Sequence, residues 1–385
     1  MRQVLVVNGP NLNLLGTRRP DVYGQESLSD LDRLCRDWGA ELGLEVATFQ
    51  SNHEGVLIDR LHQARSEGCD GIVFNAGAYT HTSFALHDAV EAIEIPTVEV
   101  HISNVKEREE WRRTSRIAPA CVYTIYGRGI EGYRWALRHL WYRSKQAFET
   151  IQYADGTENQ GDLRRPDGEP VAACLLVHGG FWLPMWTRDI MDGLAVDLCR
   201  RGLVTLNVEY GRTRAGGGWP QSMNDVTTAA RWLAGEAGGR QILLGHSAGG
   251  QLALMSASQT NVDLVVSLAG VLDMEATAAV GPGAGPARDF LNGVDPKVVS
   301  PMTAPPIRSP VLVTHGDRDD LVPVTQSRAY ARRINDAGGR VEYLELAGEG
   351  HFSLLDPDSN AWQLVVEALW KLLGEFGLPS SARPG

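Results

Sequence analysis

The sequence predicts an α/β protein made of two doubly wound parallel sheets, one after the other. Short apolar runs alternate with stretches of helix length, the pattern of consecutive βαβ units. The alternation stops once, in a polar segment rich in turn signals, and then begins again. The 385 residues also exceed what one domain of about 100–200 residues holds.

Taken in order, strands are expected at residues 4–7, 44–49, 71–74, 97–100 and 121–126, separated by helices at 28–42, 56–67, 83–93 and 130–142. Each strand is a short apolar run, and each helix fills the gap that a parallel crossover requires. Five such strands make a flavodoxin-like three-layer domain. A polar stretch follows, with Asp155-Gly156-Thr157 and Arg164-Arg165-Pro166-Asp167-Gly168 as turn signals. The boundary is placed between 144 and 151, giving domains 1–146 and 147–385. The second pattern has strands at 171–177, 204–208, 242–244, 264–268, 311–314 and 341–346 and helices at 190–200, 225–234, 251–257, 325–337 and 363–376. The Gly/Ala/Pro-rich stretch 276–288 is expected to be a mobile lid or a plain surface loop, and the tail 379–385 to fray.

Composition narrows the function. A net charge of −11 argues against nucleic acid or an anionic membrane surface as a partner, because both need basic surface. Cysteines stand at 35, 69, 121, 174 and 199, odd in number and without a CxxC pair. A disulfide framework is therefore not expected, and a reducing cytoplasm is. The chain opens on a strand with no basic leader ahead of an apolar region, so no signal peptide is expected. No apolar run reaches the roughly 18 residues of a membrane span. No His/Cys/carboxylate cluster has ligand spacing, so no metal site is expected.

The first strand empties into Asn8-Gly9-Pro10-Asn11-Leu12-Asn13, followed by Arg18 and Tyr23. Amides, a guanidinium and a phenol at a strand end suit chemistry on an oxygen-rich small molecule, since such sites form at the carboxyl ends of open parallel sheets. Further polar blocks are Gln50-Ser51-Asn52-His53-Glu54-Gly55, Asn75–Ser83, Glu99-Val100-His101-Ile102-Ser103-Asn104 and Arg108-Glu109-Glu110-Trp111-Arg112. In kind and order, over about residues 1–144, these blocks resemble the type II 3-dehydroquinate dehydratases.

The resemblance implies elimination of water from 3-dehydroquinate to give 3-dehydroshikimate, in the shikimate or quinate pathway. It implies Tyr23 as the base, with Arg18 beside it, because a phenol titrating near ~10 needs a neighbouring cation to ionise at neutral pH. Asn11 would place a water or donor on the developing enolate oxygen. His101 would protonate the departing hydroxyl, and Glu99, two residues earlier on the same strand, would favour its imidazolium form. Asn75, His81, Ile102 and Ser103 match substrate-holding positions, and Arg112 is expected on the substrate carboxylate. Asp88 is implied to reach a neighbouring subunit's site, in trimers assembled into a dodecamer. Arg19 departs from the family pattern, standing where an acidic residue usually precedes the proline. His53, His62, His87 and His139 are read as structural. Gly127-Arg128-Gly129-Ile130-Glu131-Gly132 formally matches GxGxxG. It is rejected as a dinucleotide site because it sits on the last strand with no second βαβ half.

In the second half, Gly245-His246-Ser247-Ala248-Gly249 follows a strand and precedes a helix, the context of a nucleophile elbow. His315-Gly316-Asp317-Arg318-Asp319 closes a later strand, and Gly348-Glu349-Gly350-His351 follows the next. The order Ser…Asp…His is that of an α/β-hydrolase domain. Ser247 is expected as nucleophile, His351 as base and Asp319 as its orienter, with Asp317 the alternative acid. The N–H groups of Gly179, Gly180 and Ala248 are expected to form an oxyanion hole, and His178, His246 and His315 to be structural. His178-Gly179-Gly180-Phe181-Trp182 resembles the corresponding turn of kynurenine formamidases and small esterases, which implies an ester or formamide substrate. The expectation is a lyase fused to a serine hydrolase. The alternatives are a hydrolase-like domain serving only binding or assembly, or a first domain serving as scaffold for an active hydrolase.

Overall fold

The structure, a computed structural model, describes residues 1–374. The expected frayed tail and the last two residues of the expected helix 363–376 lie outside that range. The chain divides into two compact units, residues 1–145 and residues from 146 onward.

The first unit runs β1 (Gln3–Asn8), α1 (Pro20–Tyr23), α2 (Leu28–Glu41), β2 (Glu45–Gln50), α3 (Glu54–Ser66), β3 (Gly71–Asn75), α4 (Phe84–Ile93), β4 (Thr97–His101), β5 (Tyr123–Tyr126) and α5 (Glu131–Arg143). Its sheet has the order β2-β1-β3-β4-β5, and every pair is parallel. Alternation along β1 builds two cores. Val4 and Val6 pack with Leu31, Cys35, Tyr133 and Leu137 of α2 and α5, while Leu5 and Val7 pack with Leu57, Leu61, Leu86 and Val90 of α3 and α4. This is the flavodoxin-like three-layer arrangement. Its topological switch point lies between β1 and β3, and their ends meet in register, Asn8 opposite Asn75. Beneath these ends the buried Tyr133 hydroxyl donates to Asn8 Oδ1 at 2.7 Å and accepts from Asn75 Nδ2 at 2.8 Å.

The second unit runs β6 (Glu149–Gln152), β7 (Gln160–Arg164), β8 (Ala172–Val177), α6 (Asp192–Arg200), β9 (Leu203–Val208), α7 (Gln221–Ala237), β10 (Gln241–His246), α8 (Ala248–Ala257), β11 (Leu264–Leu268), α9 (Met274–Ala279), α10 (Ala284–Leu291), α11 (Pro296–Val299), β12 (Val311–Gly316), α12 (Thr325–Asp336), β13 (Val341–Leu346) and α13 (Asn360–Gly374). Its sheet order is β13-β12-β11-β10-β8-β9-β7-β6.

Two expectations need correction here. The segment expected to be polar and turn-rich holds β6 and β7, which join the sheet edge antiparallel. Hydropathy hides β7 because Asp162 and Arg164, both about 1% exposed, are buried as ion pairs with Arg188 and Asp192. The stretch 276–288 is not a plain loop: it runs through the end of α9 and the start of α10, joined by residues 280–283. Asp273 caps α9 by accepting from Ala276 N at 3.0 Å, and Pro286 sits in the first turn of α10, where a missing N–H removes no helical bond. Among the described residues no helix is long and apolar enough to cross a membrane.

Tyr133→Phe would strip a partner from two buried amides. It is expected to destabilise the first unit by about 1–3 kcal/mol, read as a shifted urea midpoint for that unit's transition. An unmoved midpoint would mean that the hydroxyl bridge carries no net stability.

Candidate active sites

In the first unit a cleft opens over the ends of β1, β3 and β4. Asn11, Arg18, Tyr23, Asn75, His81, His101, Ile102, Ser103 and Arg112 all line it, with Leu12, Leu15 and Val105 as its apolar part. Asn11 takes a left-handed conformation, φ 66°, which Asn tolerates better than most residues. Its N–H donates to Asn52 Oδ1 at 2.9 Å. Gln50 Nε2 donates to the same oxygen, at 3.1 Å, and the Tyr79 hydroxyl to Asn52 O at 3.1 Å. The polar blocks after β2 and β3 thus scaffold the first loop.

Glu99 and His101 lie two apart on β4 and face the same way. His101 Nε2 is 3.2 Å from Glu99 Oε1, and Ser115 Oγ donates to that oxygen at 2.7 Å. Burial pushes the Glu99 carboxyl up, but His101, Ser115 and Thr124 together outweigh it and hold the group below the usual carboxylate range. Burial beside His101 and Arg112 holds His81 below its ordinary value; its Nδ1 lies 2.9 Å from Thr114 O. The glycine turn after β5 has its own use: Gly127 N donates to His101 O and Gly129 N to Ile102 O, each at 3.0 Å. The GxGxxG look-alike therefore pins the end of β4.

The sequence reading missed Arg108. Its Nη1 donates to the Tyr23 hydroxyl oxygen at 2.7 Å and to Ser103 Oγ at 3.2 Å, whereas Arg18, the expected partner, has its guanidinium 5.6 Å from the Tyr23 ring centroid. The signal was present, because Arg108 stands in the same Arg108–Arg112 block already singled out, four residues before Arg112. Arg19 is exposed, pairs with Asp21 at 3.1 Å, and does not line this cleft. Asp88 does not line it either and is exposed on α4. Among the described residues, His87, Asp88 and Glu91 bring ligand atoms within 4.8 Å of one another. The expectation of no such cluster overlooked their shared helical face, although exposed acidic groups of this kind are common without an ion.

In the second unit Ser247 stands between β10 and α8 at positive φ, φ 56° and ψ −119°. A Cβ on Gly245 would run into the carbonyl of Gly249, so glycine there permits the sharp turn. His351 Nδ1 donates to Asp319 Oδ2 at 2.6 Å, and Leu321 N and Val322 N donate to Asp319 Oδ1 at 2.9 and 2.8 Å. Asp317, the alternative acid, instead accepts from Gly348 N at 2.6 Å. His246 Nε2 donates to His351 O at 3.0 Å, and burial holds His246 well below its ordinary value.

The turn carrying Gly179 and Gly180 lies against Ser247: a Cβ on Gly179 would fall 2.7 Å from that of Ser247. Phe181 and Trp182 follow at φ 49° and 57°, a strain sustained by the fully buried Trp182 stacked on Phe290 at 4.3 Å. His178 Nδ1 sits 2.7 Å from Gly179 O, and its Nε2 is 3.3 Å from the buried Glu209 carboxylate. Glu209 also accepts from Arg188 N at 2.7 Å and pairs with Arg212.

Residues 2–141 match the family described as Dehydroquinase class II, and residues 162–334 the one described as BD-FAE. The chain is 56% identical over 137 residues to a 3-dehydroquinate dehydratase of Rhodopseudomonas palustris, covering 36% of this chain and 91% of that one. It is 55% identical over 140 residues to a 3-dehydroquinate dehydratase of Caldicellulosiruptor saccharolyticus, covering 36% of this chain and 97% of that one. The structure of a truncated carbohydrate esterase from gut microbiota superposes with a TM-score of 0.54 at 20% identity, over 60% of this chain and 98% of that one. At that identity the likeness shows the fold alone, an α/β-hydrolase for the second unit.

Burial raises the Asp319 carboxyl, but its bonds to His315 and His351 prevail and hold it well below its ordinary value of 3.8. The stability it contributes is full above that ordinary value and is lost as pH falls through the lower native one. Asp319→Asn should therefore flatten the decline in unfolding free energy of the second unit between roughly pH 4 and pH 2, measured by urea unfolding across that range. An identical acid slope in the variant would contradict the assignment.

Proposed function

Because the chain belongs, through residues 2–141, to the type II dehydroquinases, we propose that its first unit dehydrates 3-dehydroquinate and that its second unit is a serine hydrolase of esters or formamides. The first part is carried by one cleft that gathers Tyr23, under the Arg108 guanidinium, and His101, beside Glu99. Tyr23 removes the proton next to the ketone. A guanidinium N–H on its oxygen, with Arg18 over the ring, sets positive charge where an anionic oxygen is required. Asn11 offers a water or donor to the enolate oxygen, a contact that strengthens only as charge develops. His101 then protonates the hydroxyl as its C–O bond breaks, and water leaves. Asn75, His81, Ile102 and Ser103 hold the ring, and Arg112 takes the carboxylate in its planar fork. Neither reaction requires a cofactor.

The hydrolase reading rests on the Asp319–His351 bond, on a strained Ser247, and on the contact of its neighbour His246 with His351 O. Ser247 attacks the acyl carbon, His351 takes its proton and returns it to the leaving group, and water repeats the cycle. Ala248 opens α8, so its N–H lacks a partner within the helix; with Gly179 and Gly180 it faces the developing oxyanion. Asp88, outside its own cleft, is assigned to a neighbouring copy in a trimer-based, dodecameric assembly, and the five free cysteines fit the cytoplasm.

The test uses the full chain with 3-dehydroquinate, N-formylkynurenine and a panel of aryl and quinate esters. Tyr23→Phe should reduce dehydration by at least about 100-fold and spare hydrolysis, while Ser247→Ala should abolish hydrolysis and spare dehydration. Dehydration surviving Tyr23→Phe would refute the base assignment. No Ser247-dependent turnover of any ester or formamide would leave the second unit a binding or assembly module.

A further inference from the structure

His315 plays no part in the steps above, yet it touches the same carboxylate as His351. It lies on β12 with a fully buried side chain. Its Nε2 is 3.0 Å from Asp319 Oδ2 and 2.9 Å from Val322 O, and its Nδ1 is 2.7 Å from the buried Ser327 Oγ at the start of α12. Both neighbours of Nε2 are acceptors, so Nε2 carries the hydrogen, and Nδ1 is left to accept from the Ser327 hydroxyl.

The two oxygens of Asp319 are held differently. Oδ1 is fixed by the backbone N–H groups of Leu321 and Val322. Oδ2 has two imidazole donors, His351 and His315. His351 must change protonation and shift its bonding through a catalytic cycle, so it cannot both be oriented by Asp319 and serve as that group's anchor. Backbone contacts already join the two loops: Arg318 N donates to Glu349 O at 2.9 Å, and a Cβ on Gly316 would collide with the Glu349 main chain. They set where the loops lie but do not touch Oδ2, the oxygen that meets His351.

We propose that His315 is a positioning residue for the hydrolytic triad, holding the Asp319 carboxylate toward His351 through its Nε2–H, in a tautomer fixed by Ser327. The proposal rests on reading Ser247, His351 and Asp319 as that triad. A buried strand-end histidine that merely fills space would support the fold without favouring one nitrogen over the other, and this difference can be measured.

The experiment compares two amide substitutions in the full chain, with p-nitrophenyl acetate as the probe substrate. His315→Gln keeps an N–H near the position of Nε2, and so the contact with Asp319. His315→Asn keeps polarity only near Nδ1, and so the contact with Ser327. The Gln variant is expected to retain kcat within about threefold, while the Asn variant loses about 10- to 100-fold in kcat at little-changed KM, the scale on which displacing a catalytic group by an ångström acts. Equal kcat in the two variants, or equal loss tracking a common fall in Tm, would overturn the proposal. A second readout does not depend on the variants folding: ¹⁵N-histidine spectra of the unsubstituted chain should show His315 protonated at Nε2 alone, and a proton on Nδ1 would refute it. If the unsubstituted chain shows no Ser247-dependent turnover, the triad reading itself fails, a result obtained before any His315 variant is made.

Discussion

Parallel register is the constraint on which both units depend. Parallel strands bring all their carboxyl ends to one edge of a sheet, and most of the candidate catalytic side chains hang from such an edge or from the turn just beyond it. In the first unit the register sets Asn8 beside Asn75 and His101 beside Tyr126. The two cores enforce it, since β1 gives Val4 and Val6 to one helical layer and Leu5 and Val7 to the other. A slip of one residue would exchange the two faces of a strand. On β4 it would send Glu99 and His101 together to the wrong side, so core packing and site geometry are selected by the same alternation.

Beyond the strand ends the chain departs from regular structure, and the departures are held by packing or by hydrogen bonds. Asn11, Phe181, Trp182 and Ser247 all adopt positive φ, which disfavours each of them. Trp182 is sustained by its stack on Phe290, and Asn11 by the amide network around Asn52. Under the turn of Gly179 and Gly180, His178 rests on Glu209, which is itself enclosed by Arg188 and Arg212. Burying such charges repays little in net stability, because desolvation offsets most of the attraction. The network gives the turn one arrangement, since any other would leave a charge unpaired in the interior.

Much of this was legible in the sequence, for identifiable reasons. Short apolar runs marked all five strands of the first sheet and six of the eight in the second, resemblance to a known family marked Asn11, Tyr23 and His101, and the order of compact turn motifs marked Ser247 and His351. Legibility failed where contacts span large sequence separations between polar groups. Strand β7 was hidden because its inward side chains are Asp162 and Arg164, which count as surface until Arg188 and Asp192 are seen beside them. Arg108 and Arg18 are equivalent as cations on paper. Only the fold brings Arg108 across 85 residues to the Tyr23 oxygen.

By itself the sequence determined the two α/β units and the loops that hold the candidate sites, because periodicity and turn preference are local properties of the chain. Only the tertiary structure decided which of the like groups meet. It selected Arg108 over Arg18 as the hydrogen-bonding partner of Tyr23, Asp319 over Asp317 as the partner of His351, and the glycine turn after β5 as a clamp on β4. Each of these choices turns on a distance of a few ångströms between segments far apart in sequence, set by the packing of whole layers and carried by no short stretch of residues.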